Sequence, residues 1–215
     1  MSVPTARRVT AEQVADAVLA GAWVVDLRSG RDFAAGHVPG SVSVGFTGVA
    51  PAEGLSAAAG WLVPWCDDIV LLTDAPVVLE PALRELARLG LDDVATHVVG
   101  DEPGPSRLTA RYRVADWAEY REACHRGTTP VVVDVRDDDE WRAGHLPGAL
   151  HLAVPDLERV AASLPRGELW VHAATGHRAG LAASLLHRAG RDVVHVDDAW
   201  ERVGALRILT TPHAA

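Results

Sequence analysis

The sequence predicts an α/β protein of two similar halves, each a mainly parallel sheet flanked by helices. Short apolar runs rich in valine alternate along the chain with stretches of helical periodicity. Such continuous runs are typical of parallel strands that are covered on both faces. Several segments also recur about a hundred residues later, and two copies of that length indicate a duplicated domain rather than a longer repeat array.

Two motifs carry the repeat. Residues 24–28, Val-Val-Asp-Leu-Arg, return as residues 132–136, Val-Val-Asp-Val-Arg. Residues 35–40, Ala-Gly-His-Val-Pro-Gly, return as residues 143–148, Ala-Gly-His-Leu-Pro-Gly, at the same offset of 108 positions. The shared offset predicts the same order of elements in both halves.

A stretch rich in Pro, Gly and acidic residues, 101–106, has the composition of a linker between domains. We therefore predict one domain at 1–103 and a second at 107–215. The predicted helices are 11–19, 80–89, 114–125 and 178–188, and the predicted strands are 23–27, 68–73, 94–99, 131–135, 169–172 and 193–196.

Charge and cysteine content narrow the class of protein. The net charge is −9, whereas nucleic acids and anionic membranes are bound by basic surfaces, so we expect neither as a partner. The two cysteines, Cys66 and Cys124, have no zinc-site or disulfide-framework spacing, and we predict no metal and no cofactor. The N-terminus has no apolar core like that of a signal peptide, and these features together favour the reducing cytoplasm.

The most informative stretch is Val-His-Ala-Ala-Thr-Gly-His-Arg at 171–178, which follows the second Asp-x-Arg and Gly-His-x-Pro-Gly motifs. This order resembles the rhodanese family of sulfurtransferases, in which a strand is followed by Cys-x-x-Gly-x-Arg. The resemblance covers nearly the whole chain, twice. Gly176 and Arg178 match the family pattern, and Ala173 stands where the family has its nucleophilic cysteine.

A loop between a strand and a helix can bind an anion, because its N–H groups and the positive end of the helix point the same way. A cysteine in such a loop is a thiolate at neutral pH, and it can take the outer sulfur of thiosulfate or of a persulfide. The resemblance implies that residues 174–177 (Ala174, Thr175, Gly176 and His177) bind the substrate. Arg178 is expected to hold the anionic group of the donor or to fix the loop.

Alanine has no nucleophile, so we expect the chain as written to perform no covalent sulfur transfer. Ala173 is either natural, which makes the protein a pseudoenzyme, or an engineered replacement of Cys. The corresponding stretch of the first half, 73–78, lacks both the Gly and the Arg, and Asp74 adds a negative charge. We expect the first half to be degenerate and to bind no anion.

Other polar residues near the loop have structural interpretations. Asp134 and Arg136 form a pair at a strand end, where such pairs organise neighbouring loops. His145, like its counterpart His37, is interpreted as a buried histidine that bonds to the backbone. Cys124 lies on the apolar face of a predicted helix, which favours core packing over a redox role.

More narrowly, the pair of halves resembles the rhodanese tail of persulfide dioxygenases that begin with a metallo-β-lactamase domain. Residues 61–65, Trp-Leu-Val-Pro-Trp, carry this narrower resemblance, and no metallo-β-lactamase metal motif is present. The resemblance implies a small sulfur-containing anion as ligand. The alternative is a non-catalytic interaction or persulfide-sensing module that partners a persulfide dioxygenase. A phosphatase of the same fold is disfavoured because its loop is one residue longer.

Overall fold

The structure, a computed structural model, describes residues 6–48, 55, 58, 68–101 and 107–211. The chain divides into two compact units, Met1–Arg111 and Tyr112–Ala215. The predicted linker residues 102–106, the segment 61–65 and Cys66 lie outside the described residues. None of the helices in the described part of the chain has the length and apolar character needed to cross a bilayer.

The first unit contains a five-stranded parallel sheet with the strand order β1-β5-β4-β2-β3. Its strands are β1 (Arg7–Arg8), β2 (Trp23–Asp26), β3 (Val42–Ser43), β4 (Ile69–Thr73) and β5 (Val94–Val98). Its helices are α1 (Ala11–Leu19), α2 (Gly30–Ala35) and α3 (Leu79–Arg88), and a 3₁₀ turn at Pro76–Val78 precedes α3.

The second unit repeats this arrangement with the order β6-β10-β9-β7-β8, again with all strands parallel. Its strands are β6 (Arg113–Ala115), β7 (Val131–Asp134), β8 (Leu150–His151), β9 (Leu169–His172) and β10 (Val193–Val196). Its helices are α4 (Trp117–His125), α5 (Asp138–Ala143), α6 (Leu157–Val160), α7 (Gly176–Arg188) and α8 (Glu201–Ala205). The predicted fold class, two α/β domains with mainly parallel sheets, is confirmed.

Several helices begin where the sequence supplies a cap. The Thr10 hydroxyl accepts the Gln13 N–H at the start of α1, and the Asp116 carboxylate accepts the Glu119 N–H at the start of α4. The inner strands of both sheets are buried, as their uninterrupted apolar runs predict. In the second unit, one core cluster joins strands β7, β9 and β10 to α4 and to the chain that follows β10. Its buried members are Ala115, Trp117, Tyr120, Val132, Leu146, Trp170, Val194, Val196 and Val203.

Three differences from the predicted elements matter. The helix predicted at 114–125 begins only at Trp117, because Arg113–Ala115 pairs with β10 as an edge strand. The helix predicted at 178–188 begins two residues earlier, at Gly176. The short strands β1, β3, β6 and β8 were not predicted, since two or three residues show no periodicity.

Candidate functional site

The loop that the sequence singles out lies at the carboxyl end of β9, the central strand of the second sheet. Ala173 follows this strand directly and is 1% exposed. Thr175 precedes α7 as its N-cap but its side chain makes no capping hydrogen bond. The carboxyl edge of a parallel sheet is the usual position for ligands in this fold class.

The loop is short and is held from the side of β10. The Trp200 N–H donates to the Ala174 carbonyl at 3.0 Å. His195 Nε2 lies 2.8 Å from the Gly176 carbonyl oxygen. Ala174 is half-buried, whereas Thr175 and His177 are exposed. Because α7 starts at Gly176, Arg178 lies within the first turn of the helix rather than in the loop before it.

Gly176 is required here by a close approach. A Cβ atom at position 176 would lie 1.8 Å from Asp197 Oδ1 and 2.9 Å from Asp197 Cγ, so the Asp197 carboxylate fills the space that a side chain would need. Gly176 therefore matches the family pattern for a steric reason. The same contact places a carboxylate against the first residue of α7.

Arg178 is held by two carboxylates from the start of α5. Its Nη1 lies 3.2 Å from Glu140 Oε2 and 3.3 Å from Asp137 Oδ1. The Arg178 side chain is 31% exposed. These contacts join the first turn of α7 to the start of α5.

Behind the loop, Asp134 and Arg136 form a buried pair. Arg136 Nη2 donates to Asp134 Oδ2 at 2.7 Å and to the Gly144 carbonyl at 2.8 Å. The guanidinium carbon lies 3.6 Å from the centre of the Trp200 ring. We call the Asp134–Arg136 pair the second-unit fork. Asp26 and Arg28 form the same fork in the first unit.

His172 distinguishes the two forks. Its Nε2 lies 3.2 Å from Asp134 Oδ2, and its ring stacks on Trp200 with centroids 5.2 Å apart. Within the described residues neither ring nitrogen makes a well-aligned hydrogen bond, so the Asp134 carboxylate is the nearest polar group shown for this ring. In the first sheet, Leu72 holds the register position opposite Asp26 that His172 holds opposite Asp134.

The pKa values of the two aspartates, Asp26 beside Leu72 and Asp134 beside His172, shift in opposite directions. Burial raises the pKa of Asp26 above its usual range, and Arg28 only partly offsets that effect. Burial also opposes ionisation of Asp134, but the contacts of His172 and Arg136 outweigh it and hold the pKa of Asp134 below its usual range. The carboxylate of the second-unit fork is therefore fully charged at neutral pH.

We expect His172→Leu to raise the pKa of Asp134. With the native His172, Asp134 stabilises the folded unit above the ordinary aspartate pKa of 3.8, and this contribution is lost as the pH falls through the lowered pKa. In the variant, the loss of stability on acidification below 3.8 should shrink or reverse, because Asp134 then resembles Asp26.

Carboxyl-carbon NMR titration of Asp134 in both proteins measures the shift directly. Urea unfolding at several pH values measures its effect on stability, and Leu72→Met, a matched change of the first-unit counterpart, serves as control. An Asp134 titration that does not move in His172→Leu would mean that Arg136 alone sets the charge.

The remaining predicted residues have structural partners. His145 bonds to the backbone as predicted but is half-buried rather than buried: its Nδ1 lies 3.1 Å from the Trp141 carbonyl, and its ring stacks on Trp141. His37 Nδ1 lies 2.9 Å from the Phe33 carbonyl in the same way. Cys124 is half-buried on α4 and packs against the core cluster. Among the described residues, no group of three or more His, Cys, Asp or Glu side chains is arranged to hold a metal ion.

The first unit has a different connection at the corresponding position. Thr73 ends β4, and its hydroxyl accepts the Ala75 N–H at 3.0 Å. Pro76, which has no N–H, then begins the 3₁₀ turn, and α3 starts only at Leu79. Two backbone N–H groups that could point at an anion are thus occupied or missing, and Asp74 is exposed beside them.

Sequence reasoning missed Asp197, Trp200 and the partners of Arg178. One feature of the sequence could have indicated that these residues lie near the loop. The carboxyl ends of parallel strands share one edge of a sheet, so the residues after β10 and β7 must come close to those after β9. Which of the acids and aromatics in these segments turn toward the loop depends on side-chain packing that this rule does not give.

Comparison with known families and structures gives one clear match. The model of the rhodanese-like domain family matches residues 116–205. This range contains the loop, the second-unit fork and the Gly-His-x-Pro-Gly turn.

Solved structures were also compared. A rhodanese-like domain from an Anabaena sp. protein is 27% identical over 38% of this chain and 98% of its own, with a TM-score of 0.36. Thiosulfate sulfurtransferase from Pseudomonas aeruginosa is 19% identical, over 93% of this chain and 42% of its own, with a TM-score of 0.40. Wild-type EanB is 16% identical, over 98% of this chain and 63% of its own, with a TM-score of 0.46. At these TM-scores the three similarities do not bear on function, whereas the family match identifies residues 116–205 as a rhodanese-like domain.

Proposed function

We propose that the second unit is a sulfurtransferase of the thiosulfate or persulfide type that lacks only its nucleophile, so that the chain as written transfers no sulfur covalently. The position of Ala173 carries this proposal. It is a buried methyl group at the end of the central strand, at the position where the resemblance puts the reactive thiol. The elements that hold the loop, including the fork and Trp200, are intact around it.

The chemistry expected of a thiol at position 173 is a two-step transfer. The thiolate attacks the outer sulfur of the donor, a new S–S bond forms, and the donor leaves as sulfite or as a thiolate. An acceptor thiolate or cyanide then takes the outer sulfur and regenerates the thiolate. The adjacent start of α7 favours the ionised thiol, because a helix N-terminus stabilises negative charge.

The direct test adds the thiol. We expect Ala173→Cys to form a persulfide, detected by intact-protein mass spectrometry, when it is given thiosulfate or an alkyl persulfide, and to pass that sulfur to cyanide as thiocyanate. The chain with Ala173 should do neither. Ala174→Cys is a matched control, since it places a thiol one residue further along the same half-buried loop.

A second control, Thr73→Cys, places a thiol at the corresponding position of the first unit, where we expect no transfer. If Ala173→Cys folds but accepts sulfur from neither donor, the sulfurtransferase proposal is wrong. The alternative function, a non-catalytic interaction or persulfide-sensing module working with a persulfide dioxygenase, would then take its place.

A further inference from the structure

The charged side chains around the loop decide which donor it admits. Three carboxylates, those of Asp137, Glu140 and Asp197, lie against Arg178 or Gly176, and the Arg178 guanidinium lies between the first two. We call this group the loop mouth. Its formal charge is negative, which is the opposite of what an anion-binding loop needs.

Asp197 has the most direct effect. Its carboxylate lies against Gly176, the first residue of α7, where the helix presents its positive end. An internal carboxylate therefore already faces the helix end that an anionic donor would use. Asp197 is half-buried, and water screens such a charge less than it screens one on the open surface.

Arg178 does not make the net charge of the loop mouth positive. Its guanidinium is shared between Glu140 and Asp137, so its charge is already balanced by two carboxylates. Glu140 is two-thirds buried, with a side-chain exposure of 34%, whereas Asp137 is 75% exposed. Glu140 and Asp197 are thus the two carboxylates with the larger influence on a bound donor.

From these contacts we infer that the loop mouth selects against doubly charged anions such as thiosulfate, and favours an alkyl persulfide whose organic group is uncharged or cationic. The inference deepens the proposed function and rests on it for the transfer step. In that step the thiolate attacks the outer sulfur of R–S–SH, a new S–S bond forms as the S–S bond of the donor breaks, R–S⁻ leaves, and the protein carries –S–SH. Atoms and charge balance without an added oxidant.

The charge of the mouth can be measured without any sulfurtransferase activity. In Ala173→Cys, the introduced thiol is titrated with two methanethiosulfonates, the cationic 2-(trimethylammonio)ethyl and the anionic 2-sulfonatoethyl reagent. Each forms a mixed disulfide and releases methanesulfinate. We expect the cationic-to-anionic rate ratio to exceed that of 2-mercaptoethanol by about tenfold or more. Peptide mapping separates this thiol from Cys66 and Cys124.

Charge variants assign the effect to residues. Adding Asp197→Asn or Glu140→Gln to Ala173→Cys should lower the ratio several-fold, since each keeps the shape of the side chain and removes its charge. Asp139→Asn removes the same charge from the same helix as Glu140. Because its carboxylate is 98% exposed and pairs with Arg142, the ratio should not change. Ala174→Cys is a second reporter position if the first variant does not fold.

Donor preference completes the test. Persulfide formation in Ala173→Cys should be faster with 2-aminoethyl persulfide than with thiosulfate, and Asp197→Asn should narrow the gap. A reagent ratio equal to that of 2-mercaptoethanol, or one equally changed by Asp139→Asn, overturns the inference whatever the activity. If the cationic-to-anionic rate ratio is high but neither donor forms a persulfide, the electrostatic inference is supported and the proposed function is wrong.

Discussion

Replacing Arg136 by methionine should lower the free energy of unfolding of the second unit by about 3–5 kcal/mol. Both members of the second-unit fork are buried, with side-chain exposures of 2% and 0%. Removal of Arg136 leaves the Asp134 carboxylate with His172 beside it but without its guanidinium partner, and deprives the Gly144 carbonyl of a donor. It also removes the group that packs on Trp200, whose N–H holds the loop.

Hydrogen exchange of the β9 amides, followed by mass spectrometry, measures the stability of the second unit separately from that of the first. Arg142→Met is the matched control, because Arg142 lies on the neighbouring helix α5 but is 55% exposed, so its ion pairs should contribute less than about 1 kcal/mol. The double variant Asp134→Leu with Arg136→Met should be more stable than Arg136→Met alone. A double variant that is no more stable would show that the unpaired carboxylate is not the cause.

The Trp117→Ala variant should destabilise the second unit by a similar amount, about 3–5 kcal/mol. Trp117 is fully buried in the core cluster and contacts Tyr120, His172 and Trp200 with its ring edge-on or face-on. Its Nε1–H donates to the Ala199 carbonyl at 3.1 Å. The substitution therefore opens a cavity beneath the segment that holds the loop.

The Trp117→Phe variant separates the contribution of ring packing from that of the hydrogen bond to the Ala199 carbonyl. It retains an aromatic ring but leaves the Ala199 carbonyl without its donor, and we expect a cost of about 1–3 kcal/mol. In both variants the Trp200 amide should exchange faster than in the native chain. Thermal unfolding and hydrogen exchange measure the two effects. Loss of stability without faster exchange at Trp200 would mean that Trp117 supports the core but not the loop.

The inner strands were predictable because each is an uninterrupted, mainly apolar run of four or five residues, as at Trp23–Asp26, Ile69–Thr73 and Leu169–His172. The start of α7 was not, since Thr175 and Gly176 are weak helix formers and their position is set by the contacts of Asp197 and His195. Local sequence determines the strands, whereas contacts far apart in the chain determine where this helix begins.

The candidate site shows the same division. The position of Ala173 and the spacing to Gly176 and Arg178 were available from the motif alone. The ion pair between Arg178 and Glu140 joins residues 38 apart, and no local pattern indicates it. The sequence therefore predicted which loop is the candidate site but not the charged side chains that surround it.

Glu140 Oε2 is an acceptor shared by two donors. It receives the Asp137 N–H at 2.9 Å, at the start of α5, and Arg178 Nη1 at 3.2 Å. A ligand that draws Arg178 to itself removes one of these donors and leaves the carboxylate to the helix start alone. If a ligand does so, occupancy of the loop and order of the first turn of α5 are thermodynamically linked. A partner whose affinity for α5 is changed by that ligand must then change the ligand's affinity at the loop by the same factor.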